Sequence, residues 1–344
     1  EFIKDLEGKV APLDISEEEI NPQAQDDLSL QAYFLEPTTH CYPVSYSNQE
    51  DSGTSEFSFF EDGRQRTLQI GFIPAQIGEH HILIPVHYFI VAAVILFREE
   101  GRLKLWEEPE VKEGILVRRS LVTDQPIISQ FEDQGLLIVD SGGEGGEGVD
   151  YYDLRRRALR RAKALRLEVE NELIGRWGAS NHAGDCFLVV DGTLMNLRNE
   201  ESVERCIGVS KSFGSRYFSI SDHNRILKME EFERSWVFRF HSPEDESDDL
   251  RLGARERLSW YLRLRTKTNA DPEFGLIRVE ISHRHADLVS EFADRFSKSL
   301  ISERLPTSYP APRWDKHLYP ICVCENYLSS SIPSIGTIKA SMKG

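Results

Sequence analysis

The chain has 344 residues, enough for one large domain or two small ones, and 40% of them are hydrophobic, enough to bury a substantial core. This composition excludes a chain that is disordered throughout. The formal net charge of -16, from 57 acidic and 41 basic residues, argues against nonspecific binding of nucleic acid by the whole surface, although a local basic channel stays compatible with it.

No stretch of the sequence predicts a membrane span or a secretion signal. The longest apolar run, from Ile82 to Phe97, is too short to span a bilayer comfortably and is interrupted by Pro85 and His87. Residues 1–14 have neither a basic start nor an apolar stretch. The five cysteines are odd in number, scattered and without a CxxC pair, which disfavours a disulfide framework or a zinc ribbon. We therefore expect a cytoplasmic protein with core thiols.

The N-terminal half predicts an arm, a set of strands and a long helix. Residues 1–55 are polar with little periodicity and predict an irregular N-terminal arm. From Phe57 the pattern becomes strand-like, and Ile84 to Phe97 predicts a central strand in a hairpin or meander. The acidic, glycine-rich stretch from Asp140 to Asp150 predicts a flexible loop. A long amphipathic helix is predicted from Tyr151 to about Trp177.

The C-terminal half predicts further strands and a second helix. Four apolar or alternating stretches predict strands, CFLVVDGTL, CIGVSKS, LSWYLRLRT and GLIRVEIS, and HADLVSEFADRFSKSLIS predicts a helix. A second acidic loop is predicted from Ser242 to Leu250. Strands followed by a helix, then more strands and another helix, predict one α/β domain over residues 56–344, with a mixed sheet flanked by helices.

Two aspartates come at the end of apolar stretches, and each is followed by glycine. Asp62 stands in FSFFEDG and Asp191 in CFLVVDG. One such pair alone is most typical of a turn at the end of a strand. In open α/β sheets, however, ligands bind at the carboxyl ends of strands, and the repetition of the pattern favours a functional site that contains both aspartates.

The long helix adds candidate carboxylates. Glu168 and Glu172 lie one turn apart on the same face, whereas Glu170 is predicted to point elsewhere. Two strand aspartates and a helix carboxylate form the oxygen-ligand set that Mg²⁺ or Mn²⁺ prefers, and such an ion activates water for attack on a phosphodiester. The pattern therefore predicts a divalent-metal nuclease. Pairing with arginines one turn upstream explains at least one of these glutamates equally well.

Basic residues are concentrated in the same helix. The stretch Leu154 to Arg166 is nearly half arginine, with alanine and leucine at helical spacing, so one side packs while the other projects arginines. A solvated helix face is the simpler explanation for an isolated charge run. Under the nuclease hypothesis, Arg156, Arg160 and Arg161 line a basic DNA channel, and Lys211, which follows a strand, holds a phosphate.

The C-terminal segment YPAPRWDKHLYP contains Tyr309, Asp315 and His317 in a proline-punctuated stretch without a regular period. Histidine and tyrosine in loops serve as metal ligands, general acids or phosphate donors. A lone histidine is more often a surface residue, so their assignment to a site depends on the other motifs.

Taken in order, these motifs resemble the NurA nuclease family, over roughly Phe57 to Leu328. The most specific combination is VVDGTL followed at this distance by IGVSKS, accompanied by EDG, an arginine-rich helix bearing LE, YLRLR, IRVEIS and a terminal tyrosine and histidine. The resemblance implies a ribonuclease H-like, Piwi-related core, a toroidal homodimer and manganese-dependent cleavage of DNA. It also implies a HerA-type hexameric ATPase as partner, in DNA end processing or anti-phage defence.

The resemblance further implies residue roles. By their motifs, the family's catalytic positions fall on Asp62, Glu168, Asp191, Tyr309 and His317. Glu172 is the alternative to Glu168. The two aspartates and Glu168 would hold one or two Mn²⁺ ions, and His317 would be a further ligand or a proton donor.

Two other functions are compatible with parts of the sequence. One is a noncatalytic ribonuclease H-like adaptor that docks on a motor ATPase and guides DNA, which predicts that substituting Asp62 or Asp191 leaves biological activity intact. The other is a nucleotide-binding enzyme, which the sequence disfavours because it has neither a GxGxxG nor a GxxxxGK[ST] loop.

Overall fold

The computed structural model describes residues 31–44, 55–77, 79–122, 129, 132–133, 137–142, 150–180, 186–198, 200–212, 218–241, 257–266, 271–306 and 314–341. Within these ranges the chain has an α/β fold, with one mixed sheet flanked by helices, as the order of the predicted elements indicated. Asp140–Asp150 is largely outside these ranges. The Ser242–Leu250 loop and Tyr309 lie outside them entirely.

The strands are numbered in chain order. They are β1 (Gln31–Phe34), β2 (Tyr42–Pro43), β3 (Phe59–Ile77), β4 (His80–Glu99), β5 (Arg102–Leu105), β6 (Glu110–Val117), β7 (Leu137–Asp140), β8 (Leu188–Asp191), β9 (Cys206–Ser210), β10 (Glu233–Arg234), β11 (Phe238–His241), β12 (Arg257–Arg263) and β13 (Leu276–Ser282). The order across the described sheet is β1-β11-β12-β13-β9-β8-β3-β4-β6-β7, with β2 beside β10, β10 beside β12 and β5 beside β4.

The α-helices are α1 (Tyr151–Ala179), α2 (Glu200–Val203), α3 (Ile220–Leu227), α4 (Val289–Ser302), α5 (Tyr319–Ser331) and α6 (Ile335–Ser341). Short 3₁₀ turns cover Arg119–Leu121, Leu194–Asn196, His283–Leu288 and Trp314–Lys316. None of the helices in the described ranges combines the length and the apolar character needed to cross a membrane.

A long hairpin of β3 and β4 forms the centre of the sheet. Its ladder runs from Phe59 opposite Phe97 to Ile77 opposite His80, with a bulge between Gln69 and Gly71. The sequence predicted that an apolar stretch ends at Asp62, but β3 continues through Asp62 and Gly63 for more than a dozen further residues. Parallel pairing with β8 is confined to Phe59–Glu61. The far side of β3 from Asp62 to Ile77, here called the open edge, therefore has no partner strand among the described residues.

Helices pack on both faces of this hairpin because successive strand residues point to opposite sides. Phe59 belongs to the core beneath α1, whereas Phe60 belongs to the core beneath α4 and α5. Helix α1 begins at Asp150, whose carboxylate accepts a hydrogen bond from the Asp153 amide at 2.7 Å. Its core-facing residues recur every three or four positions, at Leu154, Ala158, Ala162, Leu165, Val169, Leu173 and Trp177.

Part of the predicted irregular arm has regular structure. Strand β1 pairs with β11, and β2 pairs with β10. Between them, the buried Glu36 carboxylate accepts hydrogen bonds from the Arg234 guanidinium at 2.7 and 3.0 Å and from the Val237 amide at 2.7 Å. These bonds attach residues 31–44 to the main sheet. Of the five cysteines predicted to be core thiols, Cys206, Cys322 and Cys324 are buried, Cys41 and Cys186 are partly buried, and none forms a disulfide.

Candidate metal centre

Three carboxylates converge beside the β3–β8 junction. One oxygen each from Asp62, Asp191 and Glu325 lies within 4.8 Å of the other two. The register explains the first pair, because Glu61 lies opposite Val190 in the parallel ladder and the next residue of each strand is an aspartate. Glu325 comes from α5, which packs on the face of β3 to which Asp62 points. The two predicted aspartates are thus brought together with a third carboxylate.

The glycine that follows each of the two aspartates serves a different structural purpose. At Asp191 the glycine does end a strand, since Gly192 has φ of +125°, a conformation that L side chains rarely adopt. The Gly192 amide donates to the carbonyl of Val209 at 2.9 Å, which holds this turn against β9. At Asp62 the glycine lies within a continuous strand, and its small size serves a different contact, described below.

A buried lysine lies among the carboxylates. Lys211 follows β9 directly, and its Nζ is 3.0 Å from Asp191 Oδ1 and 3.3 Å from Glu325 Oε1. Burial would lower the pKa of Lys211, but the carboxylates of Asp191 and Glu325 outweigh it and raise that pKa. The ammonium is therefore held as a cation inside the site. Lys211 was predicted as a phosphate contact, and the structure shows it bound to carboxylates.

The electrostatics of Asp62 fit a cation-binding site. Burial, followed by repulsion from Asp191, raises the pKa of Asp62 well above its usual value, although Lys211 opposes the shift. Crowded carboxylates resist joint ionisation, and a divalent cation relieves that repulsion. The donors are all hard oxygen ligands at a separation that one such ion spans, so this set fits Mg²⁺ or Mn²⁺.

His317 lies at the border of the cluster. Its Nδ1 is 3.6 Å from Glu325 Oε2, and the side chain is buried. This contact brings the predicted histidine to a carboxylate of the site, while its role as a ligand or proton donor stays a prediction. The nearby Asp315 is engaged elsewhere, because it accepts a hydrogen bond from the Gly275 amide at 2.6 Å.

The helix carboxylate beside the site is Glu170, not Glu168 or Glu172. Glu168 accepts a hydrogen bond from Arg161 at 2.7 Å, and Glu172 pairs with Lys112 at 2.7 Å. Glu170 is buried with its carboxylate directly against Gly63, the neighbour of Asp62 in β3. Glu170 does point away from Glu168 and Glu172, as predicted, but its side of the helix is the one that meets β3, so the choice of Glu168 or Glu172 as the glutamate beside the aspartates is corrected. Helical spacing relates the three glutamates to one another, but it does not say which face of α1 meets β3.

Arg166 holds the Glu170 carboxylate in place. Its Nε lies 3.4 Å from Glu170 Oε1, and a terminal nitrogen donates to the Gly63 carbonyl at 3.3 Å. Burial raises the pKa of Glu170 to about 7, although Arg166 acts in the opposite direction.

Glu61, which lies next to Glu170, is fully buried, and neither of its oxygens has a hydrogen-bond partner in the part of the chain described. Burial and then the Glu170 carboxylate raise the pKa of Glu61 well above its usual value.

The arginines predicted to bind DNA are exposed or already paired. Arg156 pairs with Asp153 one turn away, Arg161 pairs with Glu168, and Arg160 is exposed. None of the three contacts the carboxylate cluster in the described structure. Surface pairs of this kind are weak, so they do not prevent contact with a polyanion.

Sequence reasoning missed Glu325, although one signal was available. It is the only acidic residue in the helix YPICVCENYLSSS, whose other residues are apolar or small and polar apart from one asparagine and two tyrosines. A single carboxylate in such a helix is a candidate for a specific role, because buried charges are rarely kept without a partner.

Searches against protein-family models and against curated proteins find no match to this chain. The resemblance to the NurA family therefore stays a prediction that depends on the residues and geometry described above.

Proposed function

We propose that the chain is a divalent-metal-dependent DNA nuclease, which hydrolyses phosphodiester bonds with Mn²⁺ or Mg²⁺. The observation that carries this proposal is the convergence of Asp62, Asp191 and Glu325 within 4.8 Å of one another, with the ammonium of Lys211 against the last two. Three hard oxygen donors at a separation that one ion can bridge support a divalent-metal site.

In this proposal Asp62, Asp191 and Glu325 hold the ion, and Glu170 takes the helix-carboxylate role that the sequence assigned to Glu168. When bound, the metal would stabilise negative charge on the phosphoryl oxygens and lower the pKa of a water molecule. If the metal took the place of its ammonium at Asp191 and Glu325, Lys211 would be a cation beside the site that could donate to a phosphate oxygen. His317, held beside Glu325, is suited to give a proton to the leaving oxygen.

The strand order supports the ribonuclease H-like part of the proposal. Strands β6, β4 and β3 are antiparallel neighbours, and β8 and β9 follow β3 in parallel across the sheet. On the basis of the sequence motifs, we further propose membership of the NurA family, a homodimer, a HerA-type hexameric ATPase partner, a cytoplasmic location, and a role in DNA end processing or anti-phage defence.

Cleavage of linear and circular DNA by the purified chain tests the activity, with Mn²⁺, Mg²⁺ or EDTA and with or without a candidate ATPase. Asp191→Asn should lower the rate by about 100-fold or more, because it removes one charged ligand. Asp287→Asn is the matched control, since this aspartate is exposed and distant in sequence from the cluster. Titration calorimetry should show Mn²⁺ binding that Asp191→Asn weakens and the control retains.

The adaptor hypothesis predicts the opposite result. If no metal supports cleavage and Asp191→Asn still assembles with the ATPase and retains biological activity, the chain guides DNA without cutting it. Metal-dependent cleavage that survives in Asp191→Asn would instead place the active site elsewhere.

A further inference from the structure

One face of α1 leads from solvent to the candidate metal centre. Its residues follow at intervals of three or four, which places them in one line on a helix. The line, here called the α1 stripe, consists of Tyr152, Arg155, Leu159, Lys163, Arg166 and Glu170. Tyr152 at one end is 67% exposed, whereas Glu170 at the other end is buried against Gly63.

The α1 stripe runs beside the open edge of β3. Arg166 donates to the Gly63 carbonyl near the metal centre, and the Tyr151 hydroxyl donates to Gln69 Oε1 at 2.8 Å near the start of the helix. These two contacts attach α1 to both ends of a stretch of β3 that spans about 20 Å. From Gly63 to Gln69 the strand has no acidic side chain. A path of uncharged and basic side chains therefore extends along β3 away from the carboxylates.

Two half-buried cations on this path lack a counter-ion. Arg155 lies on the α1 side of the open edge, whereas Arg64, two residues after Asp62 on β3, points to the α5 side, so the two flank this edge from opposite faces of the sheet. Neither makes a hydrogen bond or ion pair with the described residues. By contrast, Arg156, Arg161 and Arg166 each pair with a helix carboxylate. In a chain with a net charge of -16, unpaired and partly desolvated guanidinium groups are costly unless an anion binds there.

We propose that a single DNA strand lies along the open edge of β3, with its phosphates on Arg64, Arg155 and Lys163 and a base stacked on Tyr152. This inference rests on the proposed function and adds to it the path by which the substrate reaches the carboxylates. Guanidinium groups bind phosphate oxygens through paired donors, and exposed aromatic rings stack bases regardless of sequence.

Binding of a fluorescent oligothymidylate to the full chain tests this path, with Ca²⁺ replacing Mn²⁺ to limit cleavage. Arg155→Met should weaken binding about tenfold and reduce the slope of log affinity against log salt by about 0.7. Arg102→Met, at an exposed arginine of β5, is the matched control and should change neither quantity. Tyr152→Leu should weaken binding at least about fivefold without changing the salt slope. Thermal unfolding checks that each variant is folded.

The results separate the path from the activity. Wild-type cleavage together with unchanged binding in Arg155→Met and Tyr152→Leu would overturn the path and leave the nuclease intact. Equal losses in Arg155→Met and Arg102→Met would also overturn it, because they indicate a diffuse basic surface. Binding that depends on Arg155 but not on Arg102, in a chain that cleaves DNA with none of the metals tested, would support the path and reject the nuclease. A wild-type chain that binds no oligothymidylate overturns the path.

Discussion

At the scale of single residues, Gly63 shows why a short motif needs its structural context. A Cβ atom at this position would lie 1.8 Å from Glu170 Oε1, so the glycine leaves the space that the carboxylate occupies. The Asp-Gly pair in β3 therefore serves a close approach between strand and helix. The same two letters at Asp191 and Gly192 serve a strand end, which sequence alone does not distinguish.

We predict that Gly63→Ala displaces Glu170 and lowers both Mn²⁺ affinity and cleavage about 10- to 100-fold, because misplaced ligands lose that much in comparable sites. Gly71→Ala on the same strand is the matched control, since its Cβ would meet nothing within 4 Å. Calorimetry and cleavage rates measure the two effects.

A second substitution tests the cause. Glu170→Asp shortens the side chain by one methylene group and leaves room for the new methyl group, so Gly63→Ala combined with Glu170→Asp should bind Mn²⁺ better than Gly63→Ala alone. Equal affinity in the single and double variants would show that the glycine acts in another way.

At the scale of elements, α1 presents three glutamates to three environments. Glu168 pairs with Arg161 and Glu172 with Lys112, whereas Glu170 is buried beside β3. The helix itself was predictable, because its apolar residues recur with helical spacing from Tyr151 onward. Which of its faces meets β3 depends on long-range packing that the spacing does not specify.

The three glutamine variants on α1 form a matched series. We predict that Glu170→Gln lowers metal-dependent cleavage at least about tenfold, while Glu168→Gln and Glu172→Gln stay within about twofold of wild type, since exposed pairs contribute little. Initial rates at saturating and limiting Mn²⁺ measure the effect. A larger loss in Glu168→Gln than in Glu170→Gln would restore the sequence-based assignment.

The rest of the site likewise combines residues that the local sequence pattern predicts with residues that only long-range packing places. Asp62 and Asp191 were predictable because each follows an apolar stretch, and the parallel register of β3 and β8 then aligns them. Glu325 joins them from α5, more than 130 residues beyond Asp191, and no local spacing relates the two. The N-terminal strands were likewise unpredictable, because residues 31–44 gain their order from partners near residue 240.

At the scale of the whole molecule, the site places several carboxylates in the interior of an already acidic chain. Folding therefore works against ionisation of Asp62, Glu61 and Glu170, whose pKa values are all raised, chiefly by burial. Bound protons stabilise the folded metal-free protein, and a divalent ion substitutes for those protons when it binds.

This arrangement predicts how metal-free stability depends on pH. Because the pKa of Glu170 is about 7 when folded and 4.5 when unfolded, the folded chain keeps a proton that the unfolded chain releases between these values. The free energy of unfolding in EDTA should therefore fall as pH rises from about 4.5 to 7, by on the order of 3 kcal/mol for Glu170 alone. Asp62 and Glu61 act in the same direction.

Urea unfolding in EDTA at half-unit steps from pH 5 to 8 measures this dependence. Glu170→Gln cannot release a proton, so its stability should fall less steeply across this range than that of wild type. Glu172→Gln, which removes an exposed carboxylate from the same helix, should keep the wild-type slope. Saturating Mn²⁺ should largely remove this fall, since the metal replaces the same protons in the folded chain. Parallel slopes for wild type and Glu170→Gln would mean that Glu170 is ionised in the folded protein at pH 5, and the site would then hold its charge without a bound proton.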